Sequence, residues 1–242
     1  MKSIKSKKKL GIIGGADPAA SCLLYQYIID RCLRLGYCQN GSDFPEIILI
    51  NYPFSRGLTT QSAHENEQIL IGQLQYCVNK LRAHGVDLIA LACNTLHGLL
   101  DYISMLDVKF VHMVQAVCVQ AIQEDNKKKI LVFGTQATIA HDIYKHDKIL
   151  VLKPDDIDQK IVDGVIKNLH AGIVIPTDGQ KLQEIAARVY TRSQFDGIIL
   201  GCTDFSVLHK QYPIMLDIKD RDIVTLDSID ILSGVLVQEI FG

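Results

Sequence analysis

Residues 87–93 read DLIALAC, an apolar run that ends on a cysteine and passes directly into the polar stretch NTLHG, residues 94–98. A short, continuous apolar run of this kind is typical of a strand that is covered on both faces of a parallel sheet. Residues 196–202, DGIILGC, repeat the pattern, and the aspartate again precedes the cysteine by six residues. The two stretches predict equivalent strands, each ending on a thiol.

Four other apolar runs predict buried strands at residues 10–15, 46–52, 129–135 and 148–154. Helical patterns lie between the runs, most clearly at residues 65–85 and 178–193. Strands that alternate with helices indicate βα units, which form a parallel sheet with helices on its faces.

The two halves of the sequence resemble each other. Each half opens with a strand that ends at a glycine, Gly14 in the first and Gly134 in the second, and each then reaches the aspartate-strand-cysteine pattern. Any two βα units share some of these features, but the matched cysteines favour duplication. We therefore predict an α/β fold of two similar, pseudo-symmetric lobes, each a mostly parallel sheet flanked by helices, with the active site in the cleft between them. The predicted domains are a first lobe at residues 1–106 and a second at 107–210, with residues 211–242 packing back on the first.

Composition excludes several functional classes. The chain has 242 residues, of which 48% are hydrophobic and 21% charged, and its net charge of −2 argues against a nucleic-acid binder. The basic start, MKSIKSKKK, lacks the apolar segment of a signal peptide and is interpreted as a solvated tail. No apolar run approaches the length of about 18 residues that a membrane span needs. Seven cysteines without a CxxC motif argue against a disulfide framework or a metal site and indicate reduced thiols in the cytoplasm.

Cys93 and Cys202 lie at the carboxyl ends of their predicted strands, where parallel sheets bind ligands. Each cysteine leads into a predicted helix, whose unpaired N–H groups and positive dipole end favour an anion. Such a position lowers the pKa of a cysteine from about 8.5 into a range of roughly 3.5–7.5 and so yields a thiolate. Four following residues are typical of helix caps and can donate hydrogen bonds into the cleft: Asn94, Thr95, Thr203 and Asp204.

Two thiols on opposite faces of one substrate carbon suit a particular reaction. One thiol, as thiolate, removes a proton from a carbon next to a carboxylate, and the other delivers a proton to the opposite face. The result is inversion, for which neither a redox centre nor a metal is needed. Backbone N–H groups at glycine turns and helix starts would hold the carboxylate.

Four motifs carry a family resemblance. They are GIIGGADPAAS at residues 11–21, ACNTLH at 92–97, VFGTQAT at 132–138 and LGCTDFSVL at 200–208. Their order and spacing resemble the cofactor-independent aspartate/glutamate racemase superfamily, and most closely its aspartate racemase branch. The last motif is normally Gly-Cys-Thr-Glu in that family, and here the fourth residue is Asp204.

The resemblance implies a two-lobed protein whose site lies between the lobes and which works by a two-base mechanism without pyridoxal phosphate or another cofactor. It implies an acidic amino acid as substrate, aspartate or glutamate, and a homodimer. Two alternatives stay open: a related cysteine-dependent isomerase or decarboxylase of another small carboxylate, and a degenerate amino-acid-binding regulatory protein.

The resemblance also suggests residues that bind the substrate. Gly15 belongs to the carboxylate loop, and Asn51 and Arg56 follow the second strand, where the family carries an arginine for the side-chain carboxylate. Arg56 is equally well interpreted as a surface arginine. Thr135 opens the second lobe, and Lys167 is the nearest match to a family lysine, although it is one position out of register.

Three further residues are candidates for tuning the site. Asp17 stands where the family has glycine, so it points to the substrate ammonium or to Cys93, or is an exposed turn residue. His97 shares a helix face with Cys93 and either tunes the thiolate or binds the backbone. Asp204 follows the second cysteine. The other five cysteines are interpreted as ordinary residues: Cys22, Cys32, Cys38, Cys77 and Cys118.

Overall fold

The computed structural model describes residues 7–55, 63–104, 107–122, 128–219, 221 and 223–242. Most of the predicted basic tail, residues 1–6, and the candidate Arg56 lie outside these ranges. The chain forms two compact units, the first comprising residues 1–112 and 232–242 and the second residues 113–231.

The first unit is built on a four-stranded parallel sheet with the strand order β2-β1-β3-β4. Its strands are β1 (Leu10–Gly14), β2 (Ile47–Asn51), β3 (Leu88–Leu91) and β4 (Lys109–Val111). Its helices are α1 (Pro18–Arg34) and α2 (Ala63–Ala83), with 3₁₀ helices at Gly41–Asp43 and Thr95–Tyr102. Both central strands, β1 and β3, are fully buried, as their continuous apolar sequences predict.

The second unit repeats this order, with a parallel sheet arranged β6-β5-β7-β8. Its strands are β5 (Lys128–Phe133), β6 (Ile149–Leu152), β7 (Gly197–Leu200) and β8 (Val224–Asp227). Its helices are α3 (Met113–Ala121), α4 (Gln136–Ala140), α5 (Asp156–His170), α6 (Pro176–Arg192) and α7 (Thr203–Gln211). A last helix, α8 (Ser228–Phe241), begins in this unit and ends in the first.

The two aspartates that precede the cysteine strands make the same hydrogen bonds in their units. Asp87 accepts from the backbone N–H of Lys9 at 2.7 Å, and Asp196 accepts from that of Lys129 at 2.8 Å. In each case the aspartate N–H returns a bond to the carbonyl of the same lysine. Each aspartate thus fixes the start of the cysteine strand against the first strand of its sheet, so the repeat in sequence is a repeat in structure.

The predicted fold class is confirmed, and all six predicted strands are present. The boundaries of the units differ from the predicted ones because two short strands extend the sheets. β4 pairs with β3, so the first unit continues to His112 instead of residue 106. β8 pairs with β7, so residues 211–231 belong to the second unit and only residues 232–242 return to the first.

The end of α8 is tied to the first unit by several polar contacts. Arg31 donates to the Ser233 hydroxyl at 2.7 Å, and Lys109 pairs with Glu239 at 2.7 Å. Across the described ranges, no helix is both long enough and apolar enough to span a bilayer.

Candidate active site

The glycine turn after β1 is shaped by a close approach of two backbones. Gly15 has a φ of +100°, and a Cβ at this position would lie 2.2 Å from the carbonyl oxygen of Tyr52. The N–H of Gly15 donates to the Ser21 hydroxyl at 3.1 Å. Gly15 was predicted to help bind the substrate carboxylate, whereas the structure gives it a conformational role and directs its N–H at α1.

Asp17 is the N-cap of α1. Its carboxylate oxygens accept from the N–H groups of Ala19 at 3.0 Å and Ala20 at 3.2 Å, and Pro18 follows at the first helical position. An aspartate there satisfies two N–H groups that the helix itself cannot pair, and its charge suits the positive end of the helix dipole. These contacts fit the interpretation of Asp17 as a turn residue better than a role toward the substrate ammonium or toward Cys93.

Cys93 lies two residues beyond β3 and is partly exposed. The residue between them, Ala92, donates its N–H to Ile13 at 2.9 Å and so continues the sheet up to the cysteine. The predicted helix after Cys93 is a 3₁₀ helix, Thr95–Tyr102. Asn94 takes the N-cap position but has helical backbone angles, φ −66° and ψ −51°, and its side chain makes no capping hydrogen bond. The predicted cap is therefore wrong, because a side chain caps from an extended backbone.

His97 is buried and holds the backbone at Cys93. Its Nδ1 lies 2.6 Å from the Cys93 carbonyl oxygen, and since a carbonyl only accepts, Nδ1 carries the hydrogen. Burial, together with the nearby His112, lowers the pKa of His97 to about 3. The ring is therefore neutral at physiological pH. Its contact with the Cys93 carbonyl favours the interpretation that His97 binds the backbone over the one that it tunes the thiolate.

The depressed pKa makes His97 a source of acid sensitivity. The pKa of a histidine is near 6.5 in the unfolded chain, whereas that of His97 in the folded chain is about 3. Between these two pH values the unfolded chain binds a proton that the folded chain does not, so falling pH favours unfolding. The contribution of His97 to stability then declines by about 1.4 kcal/mol per pH unit. Between pH 6.5 and 5 the wild type should lose about 2 kcal/mol more than His97→Gln in urea unfolding. His84→Gln, at an exposed histidine, should behave like the wild type. Equal losses in all three proteins would rule out this role.

The turn after β5 is the counterpart of the glycine turn in the first unit. Thr135 caps α4 by accepting from the N–H of Thr138 at 3.1 Å, and a Cβ on Gly134 would lie 2.6 Å from the Thr138 methyl group. The Gly134 carbonyl accepts from the Gln159 amide at 3.0 Å. The predicted capping role of Thr135 is present, while its contact with substrate stays a prediction.

Cys202 occupies the position in the second unit that Cys93 occupies in the first. It lies two residues beyond β7, and Gly201 between them donates its N–H to Phe133 at 2.6 Å, as Ala92 does to β1. Cys202 itself takes the N-cap position of α7, so Thr203 begins the helix instead of capping it. The thiol is buried and lies at the positive end of a nine-residue helix.

The Cys202 thiol contacts a carboxylate, which in turn contacts an imidazole. The Cys202 Sγ donates to Oδ2 of Asp204 at 3.0 Å, and Nε2 of His170 lies 2.9 Å from the same oxygen. Asp204 was predicted as a tuning residue, and the structure places it against the thiol. His170 was not predicted, because it lies 34 residues earlier in a helix whose sequence gives no sign of the contact.

An open depression on the second unit adjoins this cluster. It is lined by Thr135, Gln136, Ala137, Asp163, Ile166, Lys167 and His170. The structure therefore brings the candidates Thr135 and Lys167 together. Of the first-unit candidates, Asn51 ends β2 as an exposed residue beside Gly14.

Burial raises the pKa of four of the other five cysteines. It raises the pKa of Cys32 to about 12 and that of Cys77 and Cys118 to about 11. These thiols stay protonated at neutral pH and cannot act as bases. Cys38 is also buried, and its pKa is likewise raised.

The structure defines a two-lobed α/β protein with an equivalent cysteine after the third strand of each lobe. The sequence model of the Asp/Glu/Hydantoin racemase family matches residues 13–232, and the chain belongs to this family. The resemblance seen in the four motifs is thereby confirmed.

One curated relative and two solved structures match most of the chain. The broad specificity amino-acid racemase RacX of Bacillus subtilis is 28% identical over 207 residues, which cover 82% of this chain and 86% of the relative. An aspartate racemase homologue from Pyrococcus horikoshii superposes with a TM-score of 0.71 at 24% identity, covering 96% of this chain and 99% of the other. The aspartate racemase of Picrophilus torridus gives a TM-score of 0.69 at 21% identity, covering 96% and 94%. At these identities the two structures show the fold alone.

Proposed function

We propose that this protein is an amino-acid racemase that inverts the α-carbon of an acidic amino acid, aspartate in the first place and glutamate in the second, without a cofactor. The observation that carries the proposal is the equivalent placement of Cys93 and Cys202, each two residues beyond the third strand of its unit. Membership of the racemase family supports the reaction class.

Each thiol has one role in each direction of the reaction. The thiolate of one cysteine removes the α-proton, and the thiol of the other protonates the opposite face of the planar intermediate. In the reverse reaction the roles are exchanged. Arg56 and Lys167 are proposed to bind the side-chain carboxylate. The other substrate-binding candidates, Asn51, Asn94, Thr95, Thr135 and Thr203, are proposed to line the pocket.

A broader substrate range is the second candidate, and the Bacillus subtilis relative favours it because that protein is a broad specificity amino-acid racemase. Aspartate and glutamate differ by one methylene, which a pocket discriminates by only about 1–3 kcal/mol. The substrate range is therefore decided by measurement on a panel that includes neutral amino acids.

The test is exchange of the α-proton in deuterated water without added cofactor. L-Asp, D-Asp, L-Glu, D-Glu and a panel of neutral amino acids are incubated with the protein, and deuterium at the α-carbon is followed by mass spectrometry and inversion by circular dichroism. Exchange and inversion of the acidic amino acids are expected. Saturable binding without exchange would instead support the regulatory protein, and optical change in a non-amino carboxylate the related isomerase or decarboxylase.

A homodimer in the cytoplasm completes the proposal. Seven cysteines, an odd number, and a mechanism that needs reduced thiols favour a reducing compartment. Light scattering coupled to size-exclusion chromatography should give about twice the chain mass of 27.0 kDa. A monomer at working concentration would remove this part of the proposal alone.

A further inference from the structure

Cys202, Asp204 and His170 form a continuous hydrogen-bonded chain within the second unit. The thiol and the imidazole meet at the same carboxylate oxygen, Oδ2 of Asp204, at 3.0 Å and 2.9 Å. The Asp204 side chain is 3% exposed, whereas that of His170 is 30% exposed. The chain thus connects a buried thiol to an imidazole that reaches the surface.

The position of His170 favours its charged form. A buried carboxylate is costly unless a hydrogen-bonded partner of opposite charge lies beside it, and an imidazolium supplies that charge. His170 is also the last residue of α5, where the negative end of the helix dipole stabilises a cation. Two separate features, the ion pair and the helix end, therefore point to a protonated imidazole.

We propose that His170 is a positioning residue which, through Asp204, exchanges the proton of Cys202 with solvent between turnovers. This inference rests on the proposed racemase function. Each inversion leaves one cysteine protonated and the other deprotonated, the reverse of the starting state. A second turnover in the same direction requires both cysteines to be reset, and the chain provides the path for Cys202.

The reset is a proton transfer without any redox change. When Cys202 is left as a thiolate, the proton on Nε2 of the His170 imidazolium passes to Oδ2 of Asp204 and from there to Sγ. His170 is then neutral and takes up a proton from water, so the net change is one solvent proton added to one thiolate. The opposite sequence removes the proton from a thiol.

Other titratable groups near the chain do not replace His170 in this role. On α5, Asp163 and Lys167 line the same depression as His170, and the Asp163 carboxylate accepts hydrogen bonds from the side-chain amides of Gln136 and Gln159, each at 2.9 Å. Burial raises the pKa of Tyr144 well above its usual value, so this phenol stays neutral. Histidine is the side chain whose ordinary titration lies near neutral pH.

The first test separates the reset from the chemistry on bound substrate. His170→Gln keeps an N–H donor for Asp204 but cannot deliver a proton. It should lower kcat about tenfold and change kcat/KM by less than about threefold, because the reset follows product release. His141→Gln, at an exposed histidine after α4, should leave both constants unchanged. Equal loss of kcat and kcat/KM, or no loss, would overturn the proposal.

The second test needs no turnover. Alkylation of Cys202 by iodoacetamide is followed by the mass of the tryptic peptide 193–210, which contains a single cysteine. His170→Gln should slow alkylation at pH 7 about tenfold, because the Asp204 charge then opposes the thiolate without compensation. His170→Lys restores a positive charge and should restore the rate. Unchanged alkylation in His170→Gln overturns the link to Cys202 even if the wild type proves inactive on acidic amino acids, whereas inactivity alone overturns only the proposed function.

Discussion

Replacing either Cys93 or Cys202 with serine should lower the rate of inversion on the order of a thousandfold, measured by circular dichroism on each enantiomer of aspartate. A positioned acid or base contributes about 10²–10⁴-fold to such a reaction. A serine hydroxyl is not ionised at neutral pH, so it cannot take the α-proton, and it is a poor substitute for the thiol as a donor. The two losses should be similar, because inversion needs both groups in every turnover.

The single variants should differ in what they retain. Without the second thiol, the first can still remove the α-proton from one enantiomer and return a deuteron from solvent to the same face. Each variant should therefore exchange the α-proton of one enantiomer only, and the two variants should select opposite enantiomers. This half-reaction assigns each thiol to its enantiomer.

A matched control is available on α1. Cys22 is exposed, and Cys22→Ser should keep the wild-type rate and unfolding temperature. Thermal unfolding of all three variants separates loss of a base from loss of the fold. Complete racemisation by Cys93→Ser or by Cys202→Ser would contradict the two-thiol mechanism.

The sequence was most informative where a segment is both buried and continuous. The central strands are predicted by their continuous apolar runs. Asp87 and Asp196 precede the cysteine strand in both units, because each accepts a hydrogen bond from the start of the first strand of its sheet. The edge strands β4 and β8 read KFV and VTLD and each include polar and exposed residues, so neither forms a continuous buried apolar run. Without these strands, the predicted end of the first lobe falls six residues too early and that of the second lobe 21 residues too early.

The candidate site was predictable for residues next to a motif and not for residues brought there by packing. Cys93, Cys202, Thr135 and Asp204 follow directly from strand ends and turns. His170 reaches Asp204 only because α5 packs against α7, a relation that no local pattern encodes. For Asp17 the sequence suggested too much. Its charge suggested a role toward the substrate, whereas the structure shows it capping the start of α1, one residue before Pro18.

Gly15→Ala should destabilise the protein by about 3 kcal/mol, since two separate costs add at this position. The left-handed backbone costs a residue with a side chain about 1–2 kcal/mol. The added Cβ would also lie 2.2 Å from the carbonyl oxygen and 2.5 Å from the nitrogen of Tyr52. These are backbone atoms of the residue that directly follows β2, so they cannot rotate away, and forcing them apart costs a further ~1–3 kcal/mol.

Gly36→Ala isolates the first of these costs, because Gly36 has a φ of +74° but nothing within 4 Å of the added Cβ. It should destabilise by only about 1 kcal/mol. For a chain of this size the unfolding temperature falls by roughly 2–4 °C per kcal/mol, so Gly15→Ala should unfold about 6–12 °C below the wild type and Gly36→Ala only about 2–4 °C below it. Equal shifts for the two variants in a thermal melt would mean that the approach of Tyr52 to the turn is not rigid.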